Sequence, residues 1–176
     1  MNICGFAGYS GAGKTTLVES IVTELRARGL SASVIKHAHE SFDVDTPGKD
    51  SHRHREAGAY EVMLVSKQRM AILREWELEA EPRIQDIVAE MSPVDWLLVE
   101  GFKFASIPKL EVWREANAKP PIYPHDPYVI AIITEANQVL PEATNRVQLD
   151  INQPLQVVDF MLGNTTRFEL TELLKT

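Results

Sequence analysis

Gly8-Tyr9-Ser10-Gly11-Ala12-Gly13-Lys14-Thr15 is a complete Gly-x-x-x-x-Gly-Lys-Thr run close to the start of the chain. A triphosphate carries several anionic oxygens that must lose water and be met by fixed donors. A glycine-rich loop opening a helix supplies them, because small residues let backbone N–H groups converge and the helix N-terminus adds positive potential. With glycine near 7% of residues, the four fixed positions should arise by chance in roughly one chain of this size in 150. Here the match also follows an apolar run and precedes a helical pattern, the setting the motif requires. The stretch therefore reads as a phosphate cradle. Gly8, Ser10, Gly11, Ala12 and Gly13 form the loop, and Lys14 is expected to reach the β and γ phosphates. Thr15 would offer its hydroxyl to Mg²⁺, and Thr16 would lie near the α phosphate.

Working outward, Asn2 to Ala7 reads as a buried strand. Leu17, Ile21, Val22 and Leu25 recur at helical spacing, and Gly29 stands where a C-terminal cap belongs. Ala32 to Lys36 is the next expected strand, completing a βαβ unit. A short helix is expected from about Ser51 to Ala57, then a hairpin from Tyr60–Ser66 and Met70–Arg74. Ile84, Ile87, Val88 and Met91 mark another helix, stopped by Pro93. Trp96 to Val99 is almost wholly apolar, as central parallel strands are. Leu110–Trp113 and Val129–Ile133 are further strands, joined by a proline-rich loop over residues 119–127, and a late helix is expected from Pro154. The pattern predicts an α/β fold, a P-loop NTPase-type three-layer sandwich with a mainly parallel sheet and helices on both faces. A single nucleotide-binding domain over residues 1–176 is expected.

The chain carries a formal net charge of -7, which argues against nonspecific binding to nucleic acid or to anionic membranes. One cysteine, Cys4, excludes an intramolecular disulfide and suits a reducing compartment. No apolar run is long enough to span a bilayer, and no signal-peptide pattern opens the chain. A cytoplasmic protein is expected.

A phosphate cradle needs a carboxylate near the metal, usually at the end of a neighbouring buried strand. Glu100, ending Trp96-Leu97-Leu98-Val99-Glu100, has that position. It would hold Mg²⁺ through a water or position the attacking water, and Gly101 would leave room for the γ phosphate. Asp95 precedes the strand and reads as structural. Asp43, Asp45 and Asp50 lie in a turn-rich stretch, and Asp45 is the candidate third metal contact, against the alternative of ordinary turn chemistry. Lys36, His37 and His39 follow the second strand and are candidate substrate or phosphate contacts. With His52 and His54 they do not read as a structural zinc site, since no cysteine cluster accompanies them.

Four pieces match a known family in order and spacing: Gly8 to Thr16, Ile35-Lys36-His37, Asp43 to Ser51, and Leu97-Leu98-Val99-Glu100-Gly101-Phe102-Lys103. They resemble molybdopterin-guanine dinucleotide biosynthesis protein B, the MobB family, over the N-terminal two thirds. The resemblance implies GTP and Mg²⁺ as ligands, a homodimer built partly through extended strands, and weak intrinsic hydrolysis. It also implies assistance in attaching GMP to molybdopterin beside a MobA-type nucleotidyltransferase, with molybdopterin itself as a further candidate ligand. Switch GTPases read guanine with an Asn/Thr-Lys-x-Asp run, whereas this chain has Thr134-Glu135-Ala136-Asn137. The choice of guanine therefore rests on the family. Lys14 and Glu100 are the expected catalytic residues, and turnover should be slow because no arginine finger is evident. Two other readings remain: a small-molecule kinase using ATP, with Arg53 and Arg55 as lid residues, and a binding module in which nucleotide only orders a dimer.

Overall fold

The computed structural model describes residues 1–38, 42–76 and 82–170. Its elements follow the chain as β1 (Asn2–Ala7), α1 (Lys14–Ala27), β2 (Ala32–Lys36), α2 (Asp50–Glu56), β3 (Glu61–Val65) and β4 (Met70–Arg74). Then come α3 (Ile84–Ala89), β5 (Trp96–Glu100), β6 (Lys109–Val112), β7 (Val129–Thr134), β8 (Val147–Asp150) and α4 (Pro154–Gly163). The chain divides into two compact units, Met1–His37 with Ile84–Thr176, and Ala38–Arg83.

The first unit is built on a six-stranded sheet in the order β2-β5-β1-β6-β7-β8, and its ladders run parallel. Strand periodicity divides its side chains between two faces. Cys4, Phe6, Leu98, Val112 and Ile133 face the layer of α1 and α4, where Leu17, Ile21, Leu25, Val157 and Met161 pack against them. The alternate residues Ile3, Leu97 and Val99 meet Ile84 and Val88 of α3. Helices thus cover both faces, and the architecture is the expected P-loop NTPase-type α/β sandwich. The apolar run of β5 is buried throughout, as a central strand between two helical layers must be.

Two elements differ from the sequence reading. β8 was not expected, because Val147-Gln148-Leu149-Asp150 is short, half polar and largely exposed along its edge. α3 stops at Ala89 instead of continuing to Met91, whose N–H makes a three-residue turn bond to Val88.

The proline-rich loop after β6 is held by buried polar groups. Glu111 is fully buried and accepts the N–H groups of Ile122 and Tyr123, each at 2.7 Å. Burial pushes its carboxyl above the ordinary range, and the two N–H bonds only partly offset this. Lys109, also buried, donates to Asp126 at 2.8 Å. In the second unit, β3 and β4 form an antiparallel hairpin in register from Glu61↔Arg74 to Val65↔Met70. Met63, Val65, Met70 and Ile72 on it are exposed.

Replacing Glu111 by Leu strands two buried N–H groups, each costing about 1–3 kcal/mol. Urea unfolding should therefore show a loss of about 2–4 kcal/mol. An unchanged midpoint would mean that the loop is not held by this carboxylate.

Candidate functional site

The C-terminal ends of β1, β2 and β5 meet at one edge of the sheet, where ligands bind in open α/β folds. β1 leaves the sheet at Gly8, whose φ of 142° and close approach to its neighbour both require glycine: a Cβ there would stand 2.3 Å from the Val112 carbonyl oxygen. Ala12 is buried and anchors the loop in the core. Gly13 caps α1 with no side-chain hydrogen bond, and the first turn holds no acidic residue. The N–H groups that a helix leaves unpaired at its start are therefore available to an anion. Lys14 folds back over the loop and donates to the Tyr9 carbonyl at 2.8 Å.

Glu100 Oε1 is the hub. It accepts the Thr15 hydroxyl at 2.7 Å and Lys36 Nζ at 2.5 Å, and its side chain is 7% exposed. Burial raises the Glu100 carboxyl, but the Lys36 and Thr15 bonds and the charges of Lys36 and Lys14 outweigh it and leave the group below its ordinary value. Lys14 is lowered, first by burial, which the Glu100 carboxylate opposes while Lys36 and Lys103 add repulsion. Gly101 follows at φ 95°, where a Cβ would come within 2.6 Å of His37 Cβ. Phe102 continues at φ 45° and stacks on the His37 ring at 4.5 Å between centroids.

A hydroxyl and a carboxylate 2.7 Å apart at a helix N-terminus suit Mg²⁺. That ion is usually held by one or two protein oxygens together with substrate phosphates. Among the described residues, no cluster of three His, Cys, Asp or Glu forms an all-protein cage.

The sequence candidates Gly8, Ser10, Gly11, Ala12, Gly13, Lys14, Thr15, Thr16, Glu100 and Gly101 all belong to the first unit, where Thr16 is exposed on α1. Asp45 belongs to the second. There it accepts Ser51 Oγ at 2.7 Å and Thr46 N–H at 2.9 Å, and pairs with Arg55 at 3.2 Å. Asp43 also binds Arg55, at 3.0 Å, so Arg55 organises this turn. Asp50 starts α2, with Arg53 3.9 Å away. His39 lies outside the described residues. Asp95 takes the Ser31 N–H and hydroxyl, both at 2.7 Å, at the other end of β5.

Sequence reasoning gave no role to three neighbours of the cradle. Lys103 Nζ sits 4.2 Å from the Tyr9 ring centroid. Asn117 Nδ2 donates to the Ser10 carbonyl at 3.4 Å. Arg114 Nη2 approaches within 3.6 Å of where a Gly13 Cβ would stand, with its Nε 3.7 Å from Glu135. At the end of β7, the buried Thr134 hydroxyl has no hydrogen-bond partner among the described residues. Only Lys103 lay within a recognisable stretch, the run continuing from Glu100-Gly101. The other two follow β6, a strand the sequence offered without showing which loop it would stand beside.

This fold and loop define a P-loop NTPase-type α/β protein. The family model described as molybdopterin guanine dinucleotide synthesis protein B, MobB, matches residues 3–135. A molybdopterin-guanine dinucleotide biosynthesis adapter protein of Haemophilus influenzae is 41% identical over 162 residues, covering 90% of this chain and 86% of its own. A protein of the same description in Escherichia coli is 38% identical over 163 residues, with 91% of each chain covered. Among solved structures, Bacillus subtilis MobB superposes with a TM-score of 0.70 at 24% identity, over 96% of this chain and 99% of that one. The MobB homologue of Bacillus stearothermophilus gives 0.70 at 21% identity, over 94% and 99%. The chain belongs to the MobB family.

A carboxyl held below its ordinary value contributes stability above that value and loses it as pH falls through the folded one. Without nucleotide, wild-type stability should therefore drop more steeply than that of Glu100→Gln between about pH 5 and pH 3. Parallel urea-derived profiles would show that the Lys36 and Thr15 bonds do not favour the carboxylate.

Proposed function

We propose that this protein is an adapter in molybdopterin-guanine dinucleotide biosynthesis that binds GTP with Mg²⁺ in the cradle of residues 8–16. The observation carrying this reading is the contact of the Thr15 hydroxyl with Glu100 at 2.7 Å, beside an uncapped helix start and Lys14. The loop amides and Lys14 neutralise the β and γ phosphates, and Gly101 leaves space at the γ phosphate. Thr15 and Glu100 would hold the metal, which when bound would supply charge neutralisation at the phosphates. GTP is favoured over ATP because the family is named for a guanine dinucleotide.

The relatives' description as adapters favours a role beside another protein over turnover for its own sake. The partner of this reading is a MobA-type nucleotidyltransferase, with molybdopterin as the acceptor of GMP, in the cytoplasm. The working unit is a homodimer, consistent with the exposed apolar side chains of the β3–β4 hairpin. Among the described residues, no helix is long and apolar enough to cross a membrane.

Calorimetric titration with GTP and with ATP, each with Mg²⁺, is the direct test. GTP should bind more tightly, and Lys14→Ala should weaken it about tenfold or more, the size of a lost charge-assisted bond. ATP preference would favour the small-molecule kinase reading, and no binding of either nucleotide would remove the cradle's function. Hydrolysis by the isolated protein should stay well below about 1 per second, the lower end for kinases. Phosphate release in that range or above would refute the adapter role.

A further inference from the structure

Tyr9 holds two ammonium groups at the lip of the cradle. Its carbonyl oxygen accepts Lys14 Nζ at 2.8 Å, and its ring lies 4.2 Å from Lys103 Nζ. The Phe104 ring stands 4.8 Å from the same ammonium and is itself 83% exposed. Lys36 spends its charge on Glu100 and Lys109 spends its charge on Asp126, whereas among the described residues Lys103 makes no ion pair with a carboxylate. An ammonium stacked between rings and lacking a counter-ion is available to an incoming anion.

The backbone that carries Lys103 is fixed from below. Its carbonyl accepts Lys109 Nζ at 2.9 Å, and Lys109 is 1% exposed while bonded to Asp126. Before it, Phe102 is held at φ 45° by stacking on His37. A bulky residue in that conformation persists only where its surroundings enforce it. Lys103 therefore stands on a prepared loop beside the phosphate end of the cradle.

We propose that Lys103 is a second phosphate-binding cation, contacting the γ phosphate of a bound nucleoside triphosphate from the Tyr9 side of the cradle. This assignment rests on the nucleotide reading above and adds the means by which the site tells triphosphate from diphosphate. Tyr9 positions the group through its ring, so it couples the two lysines. The Lys103 charge is already felt by Lys14, which it helps to lower.

The test compares a non-hydrolysable GTP analogue, GppNHp, with GDP by calorimetry in the presence of Mg²⁺. Lys103→Ala should weaken GppNHp about tenfold or more, the worth of one charge-assisted hydrogen bond, and leave GDP within about twofold. Lys103→Arg should retain most of the preference, and Tyr9→Leu should lose part of it. Unchanged GDP binding also reports that the variant is folded. If Lys103→Ala weakens both ligands equally, or neither, the assignment is overturned while the cradle stands. If wild-type protein binds neither ligand, the nucleotide reading falls and this assignment falls with it.

Discussion

The site depends on the register of β5 between its two neighbours. Phe6 of β1 and Lys36 of β2 both lie opposite Glu100, so the last residue of the buried strand comes level with the mouth of the loop. A slip of one residue would turn every side chain of β5 to the other face, sending Glu100 away from α1 and Leu98 out of the core it shares with Leu17 and Ile21. Apolar packing on two faces therefore fixes a polar contact at the edge. The Thr15–Glu100 bond follows from the burial of Leu97, Leu98 and Val99 as much as from its own attraction.

A buried carboxylate is expensive unless its oxygens are bonded. Glu100 meets this by taking Lys36 and Thr15 on one oxygen. Glu111 meets it differently, with two backbone N–H groups and no cation hydrogen-bonded to it, and its carboxyl moves the other way. The contrast is physical: a cation bonded directly to the carboxylate favours ionisation, whereas at Glu111 two neutral donors and the more distant charge of Arg146 do not fully compensate for lost water. Glu100 is thus kept anionic and reachable, and Glu111 is committed to holding the loop over residues 119–127.

What was legible in the sequence was local and repeated. β1, α1, β2 and β5 announce themselves through apolar period and glycine punctuation, and the cradle is contiguous, so Gly8 through Thr16 could be read directly. Glu100 could be placed because it ends an unbroken apolar run. β8 could not, since an edge strand of alternating polar residues looks like a connector until β7 offers it a ladder. Arg114 and Asn117 were illegible for a related reason. They follow β6, a strand the sequence does offer, but only the parallel pairing of β6 with β1 brings them beside the loop. Asp45 is a candidate metal contact by its place after β2, whereas its hydrogen bonds to Ser51 and Arg55 depend on where α2 begins and could not be read from the sequence.

The charge of the chain and the charge of the site have opposite signs, and the difference is informative. With a formal net charge of -7, the molecule as a whole repels a polyphosphate at long range. Screening limits that repulsion to about 10 Å in ordinary salt. Within the cradle, Lys14 is influenced by Lys36, Lys103 and Glu100, three ammonium groups against one carboxylate once Lys14 is counted. A site with an excess of cations, partly shielded from water, holds an anion more strongly than its distant surface charges can oppose. The same excess explains why the lone carboxylate matters: without Glu100, three like charges would crowd the mouth of the loop, and the ligand-free fold would carry the repulsion. Lys36 on Glu100 balances part of this charge within the protein, and a phosphate with its metal would balance the rest.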